Sequence, residues 1–201
     1  MRTDLTGQVA LLNGAETEVG AQVARRLADA GAQIAAGLAY DARQEFGRLD
    51  MAVNCVPLAD RSAGPVADMA GNSPALRLAA RFLREAATAM RGQGSGRIVT
   101  AAGIGAIVVR RDEGARSAAM AGIASLTRTA ALEFASDNVL VNAVAAGPGE
   151  DAVAHIPIGR PVSPASVANA IMFLLAPAAS YVTGHLLVVD GGFSAGYVRN
   201  F

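Results

Sequence analysis

A glycine-containing turn near the N-terminus has residue types that could hold a diphosphate. Residues 11–20, LLNGAETEVG, follow a short apolar run and lead into residues with helical spacing. Glycines in such a turn let the backbone approach a phosphate, and the start of the next helix attracts its charge. Asn13 and Gly14 open the turn and Gly20 closes it, but Glu18 stands where another glycine would be expected.

The Glu18 carboxylate has two interpretations. About 4 Å from a phosphate charge it would oppose binding by about 4 kcal/mol near a protein surface, which corresponds to roughly a thousandfold in affinity. Alternatively, Glu18 points to solvent and only favours the start of its helix. The first interpretation predicts that the turn is degenerate and that the chain binds no dinucleotide cofactor.

A second group of chemically capable side chains comprises Arg110, Arg111, Asp112, Glu113 and Arg116. Arginines can hold a carboxylate or phosphate, and one of the two acids could act as a general base. The same pattern is also typical of a solvated loop before a helix. His155 is a further candidate proton carrier, although a lone histidine is weak evidence. We expect no metal site.

Composition narrows the classes of function. The chain has 201 residues, which fit a single domain spanning 1–201 with a sizeable core. Its net charge is zero, so nothing favours binding to nucleic acid or to an anionic membrane. All 17 cationic residues are arginine, which excludes Schiff-base chemistry on lysine.

The cysteine content and the hydropathy of the chain bear on its cellular compartment. The single cysteine, Cys55, excludes an intrachain disulfide, and its apolar setting predicts a buried thiol. The N-terminal residues lack the pattern of a signal peptide, and no run of about 20 apolar residues could span a bilayer. A cytoplasmic location is the expectation.

Apolar runs alternate with helical patterns along the chain. Strands are predicted within 8–14, 33–40, 48–56, 96–103, 138–149 and 184–192. Helices are predicted within 21–31, 73–96, 113–136 and 163–177. This alternation predicts an α/β protein, a three-layer Rossmann fold with a doubly wound parallel sheet.

Seven segments, in this order, resemble the short-chain dehydrogenase/reductase family of NAD(P)-dependent Rossmann-fold enzymes. They are GQVALLNGAETEVGAQVARRLADAGA, GRLDMAVNCV, GRIVTAAG, GIASLTRTAALEFA, VLVNAVAAGPG, IPIGRPVSPASVANAIMFLL and SYVTGHLLVVDGG. The resemblance covers nearly the whole chain. It implies a shortened sheet, because too few residues separate Tyr40 from Asp50 for the family's edge strand 3 and its helix. The ribose-binding position falls near Leu38 and Ala39, with Asp41 the only nearby acid.

The resemblance also locates the family's catalytic Asn, Ser and Tyr-x-x-x-Lys. Gly103 falls at the serine, Arg116 at the tyrosine and Met120 at the lysine. The asparagine falls at about Ala75, with Asn72 one helical turn earlier. Arginine stays protonated and cannot act as general acid or base, and methionine offers no N–H or O–H. The family's hydride-transfer machinery is therefore expected to be absent.

Other parts of the resemblance concern the lid and the assembly surfaces. The stretch EDAVAHI between Gly149 and Pro157 is too short for the family's substrate lid. Family members assemble through the two long helices and through the last helix and strand. The corresponding segments here are 74–90, 114–135, 163–175 and 185–190.

Three functions remain open from the sequence. The first is a pseudoenzyme that serves as the non-catalytic subunit of a hetero-oligomeric NAD(P)-dependent hydroxyacyl or acyl-CoA dehydrogenase, as in the degenerate chain of anaerobic toluene breakdown. Its partner would be a family homologue in a homo- or hetero-oligomer. The second is a non-redox lyase or isomerase in which Arg116 binds an anion. The third is a ligand-binding regulatory module.

Overall fold

Six parallel strands form the centre of the computed structural model, which describes residues 3–55 and 73–196. Their order in the sheet is β2-β1-β3-β4-β5-β6, and every neighbouring pair is parallel. The strands are β1 Val9–Asn13, β2 Gln33–Ala35, β3 Met51–Cys55, β4 Gly96–Gly103, β5 Val139–Ala146 and β6 Leu186–Val189. The predicted doubly wound parallel sheet is confirmed.

Five α-helices cover the two faces of this sheet within the described residues. They are α1 Glu18–Asp29, α2 Ala39–Phe46, α3 Pro74–Met90, α4 Gly114–Phe134 and α5 Pro164–Leu175. Helices α1 and α5 pack together on one face, and α2, α3 and α4 cover the other. These are the three layers of the predicted architecture.

Side chains alternate in direction along each strand, so they pack into two separate hydrophobic cores, one on each face of the sheet. In β1, Val9 and Leu11 pack with α2, α3 and α4, whereas Ala10 packs with α1 and α5. All five residues of β3 are buried because both faces of the sheet are covered at this central position. Continuous apolar runs in the sequence therefore correspond to the middle of the sheet.

The second strand was predicted over 33–40, and that length is wrong. Strand β2 ends at Ala35, and Gly37 takes a left-handed φ of +91° that breaks the extended chain. Helix α2, which the sequence did not predict, follows and buries Ala39 and Ala42, spaced three apart, against the sheet. Residues 36–50 contain this helix and no strand, so β2 stays at the edge of the sheet.

The glycine-containing turn is fixed by backbone packing. Gly14 has a φ of +79°, and a Cβ there would lie 2.2 Å from the carbonyl oxygen of Cys55. A Cβ on Gly20 would lie 1.9 Å from the carbonyl oxygen of Gly14. Between them, the Thr17 hydroxyl donates to the Gly14 carbonyl at 2.7 Å and accepts from the Gly20 N–H at 3.0 Å. The fold therefore requires both glycines, whatever the turn binds.

This packing predicts the effect of one added methyl group. Gly20→Ala should lower the free energy of unfolding by about 3 kcal/mol or more, because backbone atoms of the turn cannot move aside. The matched control is Gly122→Ala within α4, where the nearest atoms to the Cβ all belong to the Leu76 side chain, at 2.9 Å and beyond. Its gain in helix propensity should keep the change within about 1 kcal/mol. Urea unfolding of the two variants checks this, and equal destabilisation would contradict it.

Candidate functional site

A cleft of about 460 Å³ opens where β4 and β5 end, beside the start of α1. Ligands of open α/β sheets bind at this carboxyl edge of the strands. Glycine and proline residues that follow β5 form one wall, at 147–149, and the end of β4 forms another. The ionisable side chains that line the cleft are Glu18, Arg110, Glu113, Arg116 and Asp151.

Both arginines that line this cleft form ion pairs. Arg110 donates to the Asp151 carboxylate at 2.7 Å. This hydrogen bond raises the pKa of Arg110 and lowers that of Asp151. A Glu113 oxygen lies 3.7 Å from a guanidinium nitrogen of Arg110 and 3.7 Å from one of Arg116. With Glu18 added, three carboxylates oppose two guanidiniums, so the lining carries one net negative charge.

Beneath the cleft, two of the four positions that the resemblance assigns to catalysis, Ala75 and Met120, lie in an apolar cluster. Met120 is buried, and its sulfur accepts a hydrogen bond of 3.2 Å from the Gly103 N–H at the end of β4. Ala75, at the start of α3, belongs to the same buried cluster. Its other buried members are Ala79, Ala102, Ala119 and Ile123. Of the four positions, Gly103 and Arg116 line the cleft, while Ala75 and Met120 lie below it.

A neighbouring cavity of about 380 Å³ corresponds to the adenosine half of the site implied by the resemblance. Asn13, Gly14 and Leu38 line it. Its ionisable lining consists of Glu16, Glu85 and Arg81, and Arg81 donates to Glu85 at 2.8 Å. This half therefore also carries one net negative charge. Leu38 and Ala39, near the ribose-binding position that the resemblance implies, line it, whereas Asp41, the only nearby acid, does not.

The side chain of Asn13 is directed into the protein at the end of β1. Its amide donates to the Asn54 oxygen at 2.7 Å, across the paired strands β1 and β3. Asn54 is fully buried, and its own amide nitrogen has no hydrogen-bond partner among the described residues. The two asparagines therefore form a cross-strand contact under the turn.

Not every charged candidate reaches the cleft. Arg111 and Asp112 line a separate surface depression near the start of α4, and Asp112 takes a left-handed φ of 62°. His155, at the end of the 3₁₀ helix Glu150–His155, is not among the cleft residues. Asn72 lies outside the described residues. Sequence reasoning missed Asp151, because nothing in the spacing indicates that it pairs with Arg110.

Cys55 ends β3 as a buried thiol, as predicted. Burial, with a smaller contribution from the Glu16 charge, raises its pKa to about 12. At neutral pH the thiolate, which is the nucleophilic form, is essentially unpopulated. Cys55 therefore contributes packing rather than reactivity.

Comparison with known proteins identifies the family. A family model described as enoyl-(acyl carrier protein) reductase matches residues 35–194. Cis-4-hydroxycyclohexanecarboxylate dehydrogenase of Sinomonas cyclohexanicum is 32% identical, over 94% of this chain and 97% of its own. The chain belongs to the short-chain dehydrogenase/reductase family. It is also 30% identical to (2S)-[(R)-hydroxy(phenyl)methyl]succinyl-CoA dehydrogenase subunit BbsC of Thauera aromatica, over 97% of this chain and 98% of that one.

A solved structure shows the same fold. Acetoin dehydrogenase from Enterobacter cloacae has a TM-score of 0.80 at 24% identity, over 98% of this chain and 100% of its own. The alignment with the Sinomonas enzyme runs over 242 positions, although this chain has 201 residues. The relative therefore has stretches that this chain lacks, in keeping with a shortened sheet.

Two further properties concern only the part of this short-chain dehydrogenase/reductase that the structure describes. None of its helices is long and apolar enough to cross a membrane. Nor do three or more histidine, cysteine, aspartate or glutamate side chains group there in a way that could hold a metal ion. The cytoplasmic location stays a prediction.

The apolar cluster predicts the effect of a lysine at Met120, the position that the resemblance assigns to the family's lysine. Met120→Lys would bury an ammonium group, and burial lowers the folded-state pKa of a lysine below its ordinary value of about 10.4. The unfolded chain then binds more protons than the folded one. The variant should lose about 4 kcal/mol of stability at neutral pH and recover it as the pH rises towards 10.

Chemical denaturation across this pH range measures the effect. Met120→Leu conserves volume without a charge and serves as control, with an expected loss below about 1.5 kcal/mol at every pH. A lysine variant as stable as the leucine variant at neutral pH would show that the cluster tolerates a charge.

Proposed function

We propose that this chain is a non-catalytic short-chain dehydrogenase/reductase that serves as the structural subunit of a hetero-oligomeric NAD(P)-dependent hydroxyacyl dehydrogenase. The observation that carries the proposal is the apolar cluster under the cleft. The resemblance assigns Met120 to the family's lysine, Gly103 to its serine and about Ala75 to its asparagine, and Met120 and Ala75 are buried together in this cluster, with the Met120 sulfur bonded to the Gly103 N–H. A polar proton-transfer site has been replaced by packing.

The only ionisable group at the four positions is Arg116. Its guanidinium remains protonated at every physiological pH, so it cannot exchange a proton with a substrate hydroxyl. The Glu113 carboxylate lies 3.7 Å from it and from Arg110, so it is shared between two ion pairs. The family's proton-transferring tyrosine therefore has no counterpart at this position.

The residues present do not fit a dinucleotide. Both halves of the crevice carry one net negative charge, and a pyrophosphate would add to it. The Gly20 N–H in the first turn of α1, where such a group would bind, is already capped by the Thr17 hydroxyl. Because the lining and a pyrophosphate are both negatively charged, their repulsion opposes binding. We therefore propose that no NAD(P) binds to this chain and that the cofactor belongs to its partner.

Support for a partner comes from a relative and from the surface. The Thauera relative is named as a dehydrogenase subunit. Helices α3, α4 and α5 and strand β6 are all formed, and each exposes a large apolar side chain. These are Leu78 on α3, Leu132 on α4, Phe173 on α5 and Val188 on β6, exposed by 45%, 83%, 47% and 36%. Such side chains suit burial against another subunit.

A non-redox enzyme that uses Arg116 to bind an anion is the alternative. Arg110 and Arg116 do line the cleft, which is the observation in its favour. However, their ion pairs with Asp151 and Glu113, together with Glu18, leave the lining negative rather than positive. The geometry therefore favours the structural subunit.

The role proposed for Glu18 predicts the binding behaviour of the purified chain. Millimolar NAD⁺, NADH or NADPH should not raise its melting temperature. Glu18→Gln removes the charge nearest to the phosphate position and should increase the dinucleotide affinity at least about tenfold. Glu45→Gln, on the exposed side of α2, removes one charge elsewhere and should have no effect. Tight binding by the unchanged chain would contradict the proposal.

The subunit role predicts co-purification with a complete family member. When a homologue with an intact Tyr-x-x-x-Lys motif, encoded beside this gene, is co-expressed, the two chains should elute together in gel filtration. Dehydrogenase activity should vanish when the homologue's tyrosine is changed to phenylalanine. It should change less than about twofold with Arg116→Ala in this chain.

Two results would contradict the subunit role. One is a monodisperse monomer with no affinity for the homologue. The other is oxidation of an alcohol by this chain alone.

A further inference from the structure

The outer surface of α3 and α4 combines an excess of positive charge with apolar side chains. Leu76 of α3 packs over Gly122 of α4, so the two helices lie side by side and present one continuous surface, called here the helix-pair surface. The opposite sides of both helices are buried against the sheet. A chain that binds to the helix-pair surface would therefore contact both helices at once.

The outward side of α3 is basic. Arg77, Arg84 and Thr88 are exposed, and their spacing of seven and four residues places them on one stripe of the helix. Neither arginine forms an ion pair or a side-chain hydrogen bond with another described residue. Arg81, which is also exposed, donates to Glu85 at 2.8 Å and is thereby neutralised. The basic character of α3 therefore comes from Arg77 and Arg84.

The outward side of α4 is almost uncharged. Its exposed residues recur at intervals of three and four positions and are small, hydroxylated or apolar: Ala118, Ala121, Ser125, Thr129 and Leu132. The opposite side of this helix is buried, so α4 has apolar residues on both sides. A helix with this pattern is ordinarily covered all round. Because Leu132 is 83% exposed in the isolated chain, another chain is the expected cover.

Together the two helices give the helix-pair surface a net charge of +2. Away from the cleft, they carry four arginines and two glutamates on their solvent side. Arg128 and Glu133, both exposed on α4, cancel each other, as do the two residues of the α3 ion pair. The charges of Arg77 and Arg84 are left, although the chain as a whole is neutral.

Two identical copies joined through the helix-pair surface would repel each other. In a twofold dimer, the same patch of each copy faces its counterpart. The excess positive charge of one chain would therefore meet the same excess in the other. Like charges across an interface oppose association and suppress the wrong partner. A second copy of this chain is thus the disfavoured occupant.

A homologue with an excess of carboxylates on its matching surface fits where a second copy does not. The paired N–H groups of an arginine bind a carboxylate through two hydrogen bonds, and Arg77 and Arg84 use none of these donors within the described part of the chain. The same partner would cover the apolar side of α4. Nucleic acid would satisfy the arginines but would leave Leu132 exposed, so a protein partner fits better.

We propose that the helix-pair surface selects a homologue with an acidic matching surface and rejects a second copy of this chain. Arg77 and Arg84 are the residues that determine this specificity. Attraction favours the mixed assembly, and repulsion disfavours the assembly of identical chains. The inference rests on the proposed subunit role and adds the chemistry by which the partner is chosen.

Charge reversal tests the helix-pair surface without any homologue. The Arg77→Glu/Arg84→Glu double variant changes the net charge of the surface from +2 to −2. When this variant is mixed with the unchanged chain, sedimentation velocity should detect a mixed complex at least about tenfold tighter than either chain forms with itself. Added salt should weaken the mixed complex. The melting temperature should not change, because neither arginine has a partner to lose among the described residues.

The matched control is the Arg25→Glu/Arg160→Glu double variant, which changes the charge equally at two exposed arginines outside α3 and α4. It should gain no affinity for the unchanged chain. Two outcomes of this experiment would overturn the proposal. One is a control that associates as tightly as the Arg77/Arg84 variant, which would indicate unspecific attraction. The other is a mixed complex no tighter than self-association.

A second measurement uses the homologue with the intact Tyr-x-x-x-Lys motif. Charge reversal at Arg77 and Arg84 should weaken its binding to this chain at least about tenfold, whereas the control variant should bind normally. If the homologue binds all variants equally, the subunit role stands and the proposed specificity is wrong. If it does not bind the unchanged chain, the subunit role itself fails, and this inference with it. Retention of the unchanged chain by duplex DNA, lost on charge reversal, would also overturn the proposal.

Discussion

The close contact between α1 and the ends of β1 and β3 is the constraint on which the rest of the structure depends. Gly14 passes under the Cys55 carbonyl, and Gly20 lies against Gly14, at separations that admit no Cβ. This contact sets the height of α1 over the sheet and therefore its packing with α5. In a cofactor-binding relative, the presence of these two glycines would be explained by the close approach of the phosphate. Here packing alone requires both glycines, whereas Glu18, which packing does not constrain in this way, stands where the resemblance implies a third glycine.

The same division between packing and chemistry extends to the floor of the cleft. Gly103 and Met120 join β4 to α4 through an N–H to sulfur contact, and Ala75 brings α3 into the same cluster. An apolar side chain at such a junction needs no buried hydrogen-bond partner. Under the proposed non-catalytic role, these positions would be free to favour stability.

Much of the fold could be predicted from residue pattern because helix starts and buried strands leave local signals. Ser73 and Ser163 each cap a helix whose first residue is proline, as the Ser-Pro pairs indicate. Helix α2 was not predicted, because the glycine that precedes it and its alanines are equally compatible with a weak strand. The ion pair between Arg110 and Asp151 escaped as well, because it depends on how two loops meet 41 positions apart.

Without a strand beyond β2, this edge of the sheet would ordinarily be open to pairing with strands of other chains. Strand β2 has three residues, and the Gln33 N–H already donates inward to the Gln8 carbonyl. Backbone groups alternate in direction along a strand, so Ile34 alone turns its amide and carbonyl outward. One residue cannot template a growing ladder, and the left-handed Gly37 stops the strand from lengthening. The truncated margin is thereby protected against fibril-like self-association.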